Sequence, residues 1–149
     1  MADLLANTPF WAALLATALA QFVKVLIVLV AERRFAADRL LETGGMPSSH
    51  SAAVTALATC LGLIHGWDSP YFAVALVFGG IVMYDATGIR RAAGIQAEMI
   101  NELVQELGHL FEEGFKPQVL KTLLGHTYPQ VLAGALLGVM VGLVVYYRG

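Results

Sequence analysis

YPQVLAGALLGVMVGLVVYY, residues 128–147, is a run of twenty without one Asp, Glu, Lys or Arg. About 20 mainly apolar residues suffice for a helix to cross the hydrocarbon core of a bilayer. Immediately before the run stands Gly125-His126-Thr127. Further out, Gly44-Gly45-Met46-Pro47-Ser48-Ser49-His50-Ser51 opens a second apolar run, 47–65. Two more runs cover 9–31 and 71–87. The pattern predicts an all-α integral membrane bundle of about four transmembrane helices, with one amphipathic helix, in a single domain over 1–149.

Composition agrees. The 149 residues are 58% hydrophobic and 13% charged, with a net charge of −2, whereas soluble domains carry roughly 25% charged residues. Mean hydropathy is +0.69. No basic stripe is present to neutralise phosphates along a duplex, so nucleic acid is not an expected partner. Cys60 is the single cysteine; a disulfide framework and a cysteine metal site are excluded, and it reads as a small buried hydrophobe. Met1-Ala2-Asp3 lacks the positive start of a signal peptide, so the first apolar run is expected to be retained.

Four spans place the segments 32–46 and 88–125 on one side and the short turn 65–70 on the other. Arg33, Arg34, Arg39, Arg90, Arg91, Lys116 and Lys121 lie in the two long segments and only Arg148 lies opposite. By the positive-inside rule the long segments face the cytoplasm, and the cell inner membrane is the expected location. Within the second segment, 93–111 reads as an amphipathic helix: Ile95, Met99, Leu103, Leu107 and Leu110 repeat at helical spacing, with Glu98, Glu102, Glu106 and Glu112 on the other face. Lipid-surface helices are rich in Lys and Arg, so this one is expected to pack on protein, with a homo-oligomer as one way to do so. His109 reads as a surface histidine. Gly134, Gly138 and Gly142 form a ridge for close helix packing.

The chemistry gathers at one end. His50, Asp85, Arg90, Arg91, Lys121 and His126 all map to span ends on the same side. Lys24 lies deeper in the first span, where a cation costs about 2.5–3.5 kcal/mol on insertion scales and is a functional suspect; snorkelling to the interface is its bland alternative. A helix start offers free N–H groups and the positive end of a dipole, Ser48 and Ser49 offer hydroxyls, and the cations and imidazoles complete a site for a phosphate-like anion. One histidine that is neutral and one that is charged make a nucleophile and a general acid, with a bell-shaped pH dependence. Asp85 is free to pair with a cation or to orient a histidine.

With these residues in hand, the chain resembles the divergent branch of the type 2 phosphatidic acid phosphatase superfamily, related to the vanadium-dependent haloperoxidases. Pro47-Ser48-Ser49-His50 is similar to the superfamily's Pro-Ser-Gly-His signature. Leu124-Gly125-His126-Thr127-Tyr128-Pro129-Gln130-Val131-Leu132-Ala133-Gly134 is similar to its third signature, and Tyr84-Asp85-Ala86-Thr87-Gly88-Ile89-Arg90-Arg91 to a stretch of the divergent branch. The resemblance implies that His126 is the nucleophile forming a phosphohistidine and His50 the general acid. It implies that Lys24, Ser48 and Ser49 hold phosphoryl oxygens and that no metal or cofactor is needed. Three departures stand out. Lys24 is followed by Arg33 and Arg34 at longer spacing and without the usual proline. Lys121 takes the place of an arginine. Gln130 takes the place of the orienting aspartate, a loss that Asp85 could make good, as Arg90 and Arg91 could for the arginines.

The expected function is a metal-independent phosphatase of a phosphorylated membrane lipid of the phosphatidate, phosphatidylglycerophosphate or polyprenyl phosphate type, with His126, His50 and Asp85 catalytic and Lys24, Ser48, Ser49, Arg90, Arg91 and Lys121 binding phosphate. The alternative is a non-catalytic binder or translocator of lipid phosphates or other anions; a purely structural membrane subunit is a third reading.

Overall fold

The computed structural model describes residues 5–33, 44–108, 118–122 and 124–148. Among these, all regular secondary structure beyond single turns is α-helical: α1 (Thr8–Glu32), α2 (Ser49–His65), α3 (Pro70–Thr87), α4 (Ile89–Glu106) and α5 (Tyr128–Arg148). Arg34, Arg39, His109, Leu110, Phe111, Glu112 and Lys116 lie outside the described residues.

The helix starts follow ordinary capping chemistry. Asn7 accepts the Phe10 N–H at 3.0 Å and Ser69 the Phe72 N–H at 3.2 Å, each with a proline in the first turn, where the missing N–H costs nothing. The 65–70 turn closes the far end, with Trp67 edge-on to Phe72 and His65 beside Tyr71.

α2 is the hub, packed most closely on α5, then on α1 and α3. Its neighbours approach closely because the contacts are made of small residues, as in membrane helix packing generally. Ala12, Ala16 and Ala20 form a fully buried stripe on α1, one residue per helical turn, against Ala52, Ala56 and Cys60 of α2. The glycine ridge of α5 meets the other side of α2 in register. A β-carbon at Gly134 would strike the Ser48 carbonyl, one at Gly138 the Thr55 hydroxyl and the Ala52 carbonyl, and one at Gly142 would come within 2.8 Å of Thr59 Cβ. Thr55 Oγ1 lies 3.0 Å from the Ala135 carbonyl across the interface. The ridge is therefore consumed within the chain and is not available to a second copy.

The large apolar side chains point the other way. Val74 is 70% exposed, Val77 63% and Ile81 61%, an inside-out distribution suited to lipid. Three helical stretches are long and apolar enough to cross a membrane: Thr8–Ala31, Pro70–Glu106 and Tyr128–Arg148. The expected second span is α2. Its 17 residues rise about 26 Å at 1.5 Å each, a little short of the roughly 30 Å core, because the chain before Ser49 turns away to build the site.

The amphipathic helix differs from its expected bounds. It begins at Ile89, directly after α3, with only Gly88 (φ −99°, ψ −97°) breaking the two. Its packed face is its small one. Gly94 and Ala97 are buried, Gly94 sits under the Thr122 and Leu124 carbonyls, and the Asn101 amide exchanges two 2.9 Å hydrogen bonds with the Leu120 backbone. Ile95, Met99 and Leu103 stay exposed, so the described residues of the chain itself do not cover the apolar stripe.

Candidate active site at one end of the bundle

Two backbone hydrogen bonds knit the start of α2, the end of α3 and the start of α5 into one platform. Ser48 N–H donates to the Gln130 carbonyl at 3.0 Å, and His126 N–H to the Ala86 carbonyl at 2.9 Å. Val131 N–H donates to the Thr127 carbonyl at 3.1 Å and starts α5. Gly125 makes this possible: it has φ +75°, and a β-carbon there would collide with the Arg91 backbone N–H and stand 2.8 Å from the Ala86 carbonyl. Only glycine takes that conformation at that approach without strain.

The platform brings the two imidazoles together. His50, Asp85, Arg90 and His126 line one cavity of about 460 Å³, counting its open mouth, with Val82, Ala86 and Gly125 as its apolar walls. His50 stands at the exposed second position of α2, whereas His126 is 4% exposed. A second cavity on the other side of His126 is lined by Arg91, Glu98, Gln130 and the Gly44-Gly45 backbone.

His126 is held from one side. Its Nδ1 lies 3.3 Å from Gln130 Oε1, and the same oxygen accepts the Thr127 N–H at 3.0 Å. Thr127 and Gln130 thus have the spacing of a capping box, Thr-x-x-Gln, in which the third helical residue reaches back to the cap N–H. His126 Nε2 is buried with no hydrogen-bond partner among the described residues. Burial holds the pKa of His126 below its ordinary 6.5; the Gln130 hydrogen bond and the nearby Gly45 backbone oppose that shift, and the Lys24 and His50 charges add to it.

Lys24 continues the Ala12-Ala16-Ala20 stripe by one more turn and is 2% exposed. It does not snorkel. Its stem runs beneath Gly45, whose β-carbon would lie 3.4 Å from Lys24 Cδ, and its charge is felt at His126. Of its two expected roles Asp85 takes the cation: its carboxylate pairs with Arg90 Nε at 2.6 Å, and the group on the His126 ring is the neutral amide of Gln130. Arg91 lines the second cavity rather than the first. Ser48 and Ser49 are buried and line neither; the Ser48 hydroxyl caps α2, accepting from Ser51 N–H at 3.3 Å and Ser51 Oγ at 3.0 Å. Lys121 is exposed and also lines neither cavity. No cluster of His, Cys, Asp or Glu able to hold a metal occurs among the described residues.

Sequence reasoning missed Thr127, Val82 and Ala86. The Thr-x-x-Gln spacing was readable before an apolar run. The two α3 wall residues carry no signal, because nothing in an all-apolar helix marks which side faces a cavity.

The profile of the divergent PAP2 family matches residues 5–141. The "uncharacterized membrane protein YuiD" of Bacillus subtilis (strain 168) is 44% identical over 154 residues, covering 97% of this chain and 98% of that one. No solved structure matches.

Proposed function

Because the chain belongs to the divergent PAP2 family, we propose that it is a metal-independent phosphatase of a phosphorylated membrane lipid, working through a phosphohistidine on His126. The observation that carries this reading is the shared cavity: His126, whose buried Nε2 has no hydrogen-bond partner among the described residues, lines the same space as an exposed imidazole and an arginine. In the first step Nε2 attacks phosphorus, the P–O bond to the lipid breaks, and His50 gives its proton to the departing oxygen. In the second, water attacks the phosphohistidine, His50 takes a proton from it, and Nε2 leaves with its lone pair restored. Arg90 holds the phosphoryl oxygens in competition with Asp85, while Arg91 and the buried charge of Lys24 draw the anion to this end. Asp85 sets the position of Arg90 rather than touching the substrate. Ser48 shapes the helix start whose N–H groups face the anion, and Ser49 and Lys121 serve it from outside the cavity.

The membrane setting follows the same logic. α2 completes a four-span bundle, and the cationic end carrying Arg33, Arg90, Arg91 and Lys121 faces the cytoplasm of the inner membrane, with Arg148 opposite. The substrate is then a lipid phosphate of the inner leaflet, of the phosphatidate, phosphatidylglycerophosphate or polyprenyl phosphate type.

The test is inorganic phosphate release by the purified protein in detergent over a panel of those three lipid classes, without added metal. Tight binding of lipid phosphate with no release from any of them supports the alternative, a binder or translocator of the same anions.

Two expected outcomes sharpen it. His50→Ala should slow phosphohistidine formation from lipid phosphates by about 10²-fold or more yet spare its formation from p-nitrophenyl phosphate, read as an undiminished burst of p-nitrophenol, a leaving group that needs no proton. An equal loss of the first step on both substrates counts against the general acid. The pH dependence should be bell-shaped, with the acid limb read in kcat/KM and the alkaline limb in kcat. His126 must be neutral to attack, and since burial lowers its pKa, protonation removes activity only below its ordinary 6.5. An acid limb controlled by His126 above pH 6.5 contradicts the assignment. The alkaline limb belongs to His50 in the kcat profile, where the bound anion favours its protonated form.

A further inference from the structure

The Thr127 N–H settles which end of the Gln130 amide faces His126. A backbone N–H can only donate, so the group 3.0 Å from it is the amide oxygen. That oxygen also lies 3.3 Å from His126 Nδ1, and an oxygen whose role is acceptor requires the ring proton to be on Nδ1. A neutral imidazole has one such proton, so Nε2 keeps its lone pair, on an atom that is buried and unpartnered among the described residues.

We infer that Gln130, locked by the Thr127 N–H, is the positioning residue that holds His126 as its Nδ1–H tautomer and so makes Nε2 the nucleophile, doing by a neutral hydrogen bond what a carboxylate does elsewhere in the superfamily. The inference rests on the phosphatase reading of the same cavity. Its physical content is a separation of two effects. A carboxylate beside an imidazole orients it and also raises its pKa; an amide orients it without adding charge. The groups facing His126 are Lys24 from α1, His50 from α2, Asp85 from α3, and Arg90, Arg91 and Glu98 from α4. Asp85 is spent on Arg90, so among the described residues no carboxylate bonds the ring, and the lowering of its pKa by burial is opposed by the amide hydrogen bond but not by a partner's negative charge.

The experiment uses the full chain in detergent with ¹⁵N-labelled histidine, without substrate, alongside phosphate release. Wild type should show the Nδ1–H tautomer at His126 above pH 7. Gln130→Glu keeps both the cap and the tautomer, because a carboxylate oxygen also accepts from Thr127 N–H, but should raise the His126 pKa and the acid limb of kcat/KM by about one pH unit or more, with kcat recovering at alkaline pH. Gln130→Leu should lose the single tautomer and lower kcat by about tenfold or more, with KM little changed. A wild-type spectrum with the proton on Nε2, or a Gln130→Glu protein whose His126 titrates where wild type does, overturns the inference while leaving the phosphatase reading intact. A His126→Ala protein that still releases phosphate overturns that reading, and the role of Gln130 with it.

Discussion

Replacing His126 by alanine is expected to abolish phosphate release, by about 10³-fold or more in kcat, in a protein that still folds. The size follows from the role: a nucleophile whose lone pair forms the covalent intermediate has no substitute in the cavity, and what remains is the binding and charge stabilisation of its neighbours. His50 cannot take over, since it would then have to attack and to protonate the leaving group at once. The fold should survive because His126 is held through its backbone as much as its ring. Its N–H bond to the Ala86 carbonyl at 2.9 Å and the Thr127 N–H bond to Gln130 at 3.0 Å do not involve the imidazole. Two measurements check this: phosphate release on the best lipid of the panel, and thermal unfolding of the variant in the same detergent. Undiminished release from a normally folded variant removes the proposed chemistry altogether.

Gly138→Leu is expected to have the largest effect on the fold. Helices α2 and α5 touch here backbone to backbone, and the first carbon of any side chain would overlap the Thr55 hydroxyl and the Ala52 carbonyl. A clash with backbone cannot be relieved by a rotamer change, so the helices must separate. The cost should reach or exceed about 3 kcal/mol, the upper part of the usual overpacking range. Activity should go with it, because α2 carries His50 and α5 begins beside His126. Gly80→Leu is the matched control. It lies in the exposed part of α3, nothing stands within 4 Å of its would-be β-carbon, and its added side chain would face lipid. Denaturant titration in detergent micelles should separate the two variants clearly; equal stabilities would mean that α5 does not pack on α2 along this ridge.

Much of this molecule was readable before its structure, for local reasons. Hydropathy is summed along the chain, so the apolar runs announced helices of membrane length. Caps and prolines sit within a few residues of the helix ends they make, so the starts of α1, α2 and α5 were near their expected places. Topology alone then sent His50, Asp85, Arg90 and His126 to the same end. The alanine stripe of α1 was not legible, since Ala12, Ala16 and Ala20 are apolar residues in a helix that is apolar on every side, and no moment points to the packed face. The outward turn of the Ile95-Met99-Leu103 stripe was hidden for a related reason: periodicity finds two faces of a helix and is silent on which one the protein covers.

Local sequence, then, dictated the helices, the end of the bundle at which the chemistry collects and the residue types gathered there, because each depends on neighbours along the chain. Three-dimensional packing alone decided which histidine is buried, that Lys24 stays inside, that Asp85 answers to Arg90, and that an amide oxygen fixes the ring of His126. The burial of His126 and Lys24 turns on close helix contacts, between residues far apart in sequence, that only alanine and glycine in register allow. The Asp85–Arg90 and Gln130–His126 pairs are near neighbours along the chain, but which of several possible partners each takes is settled at distances of about 3 Å that spacing alone does not give.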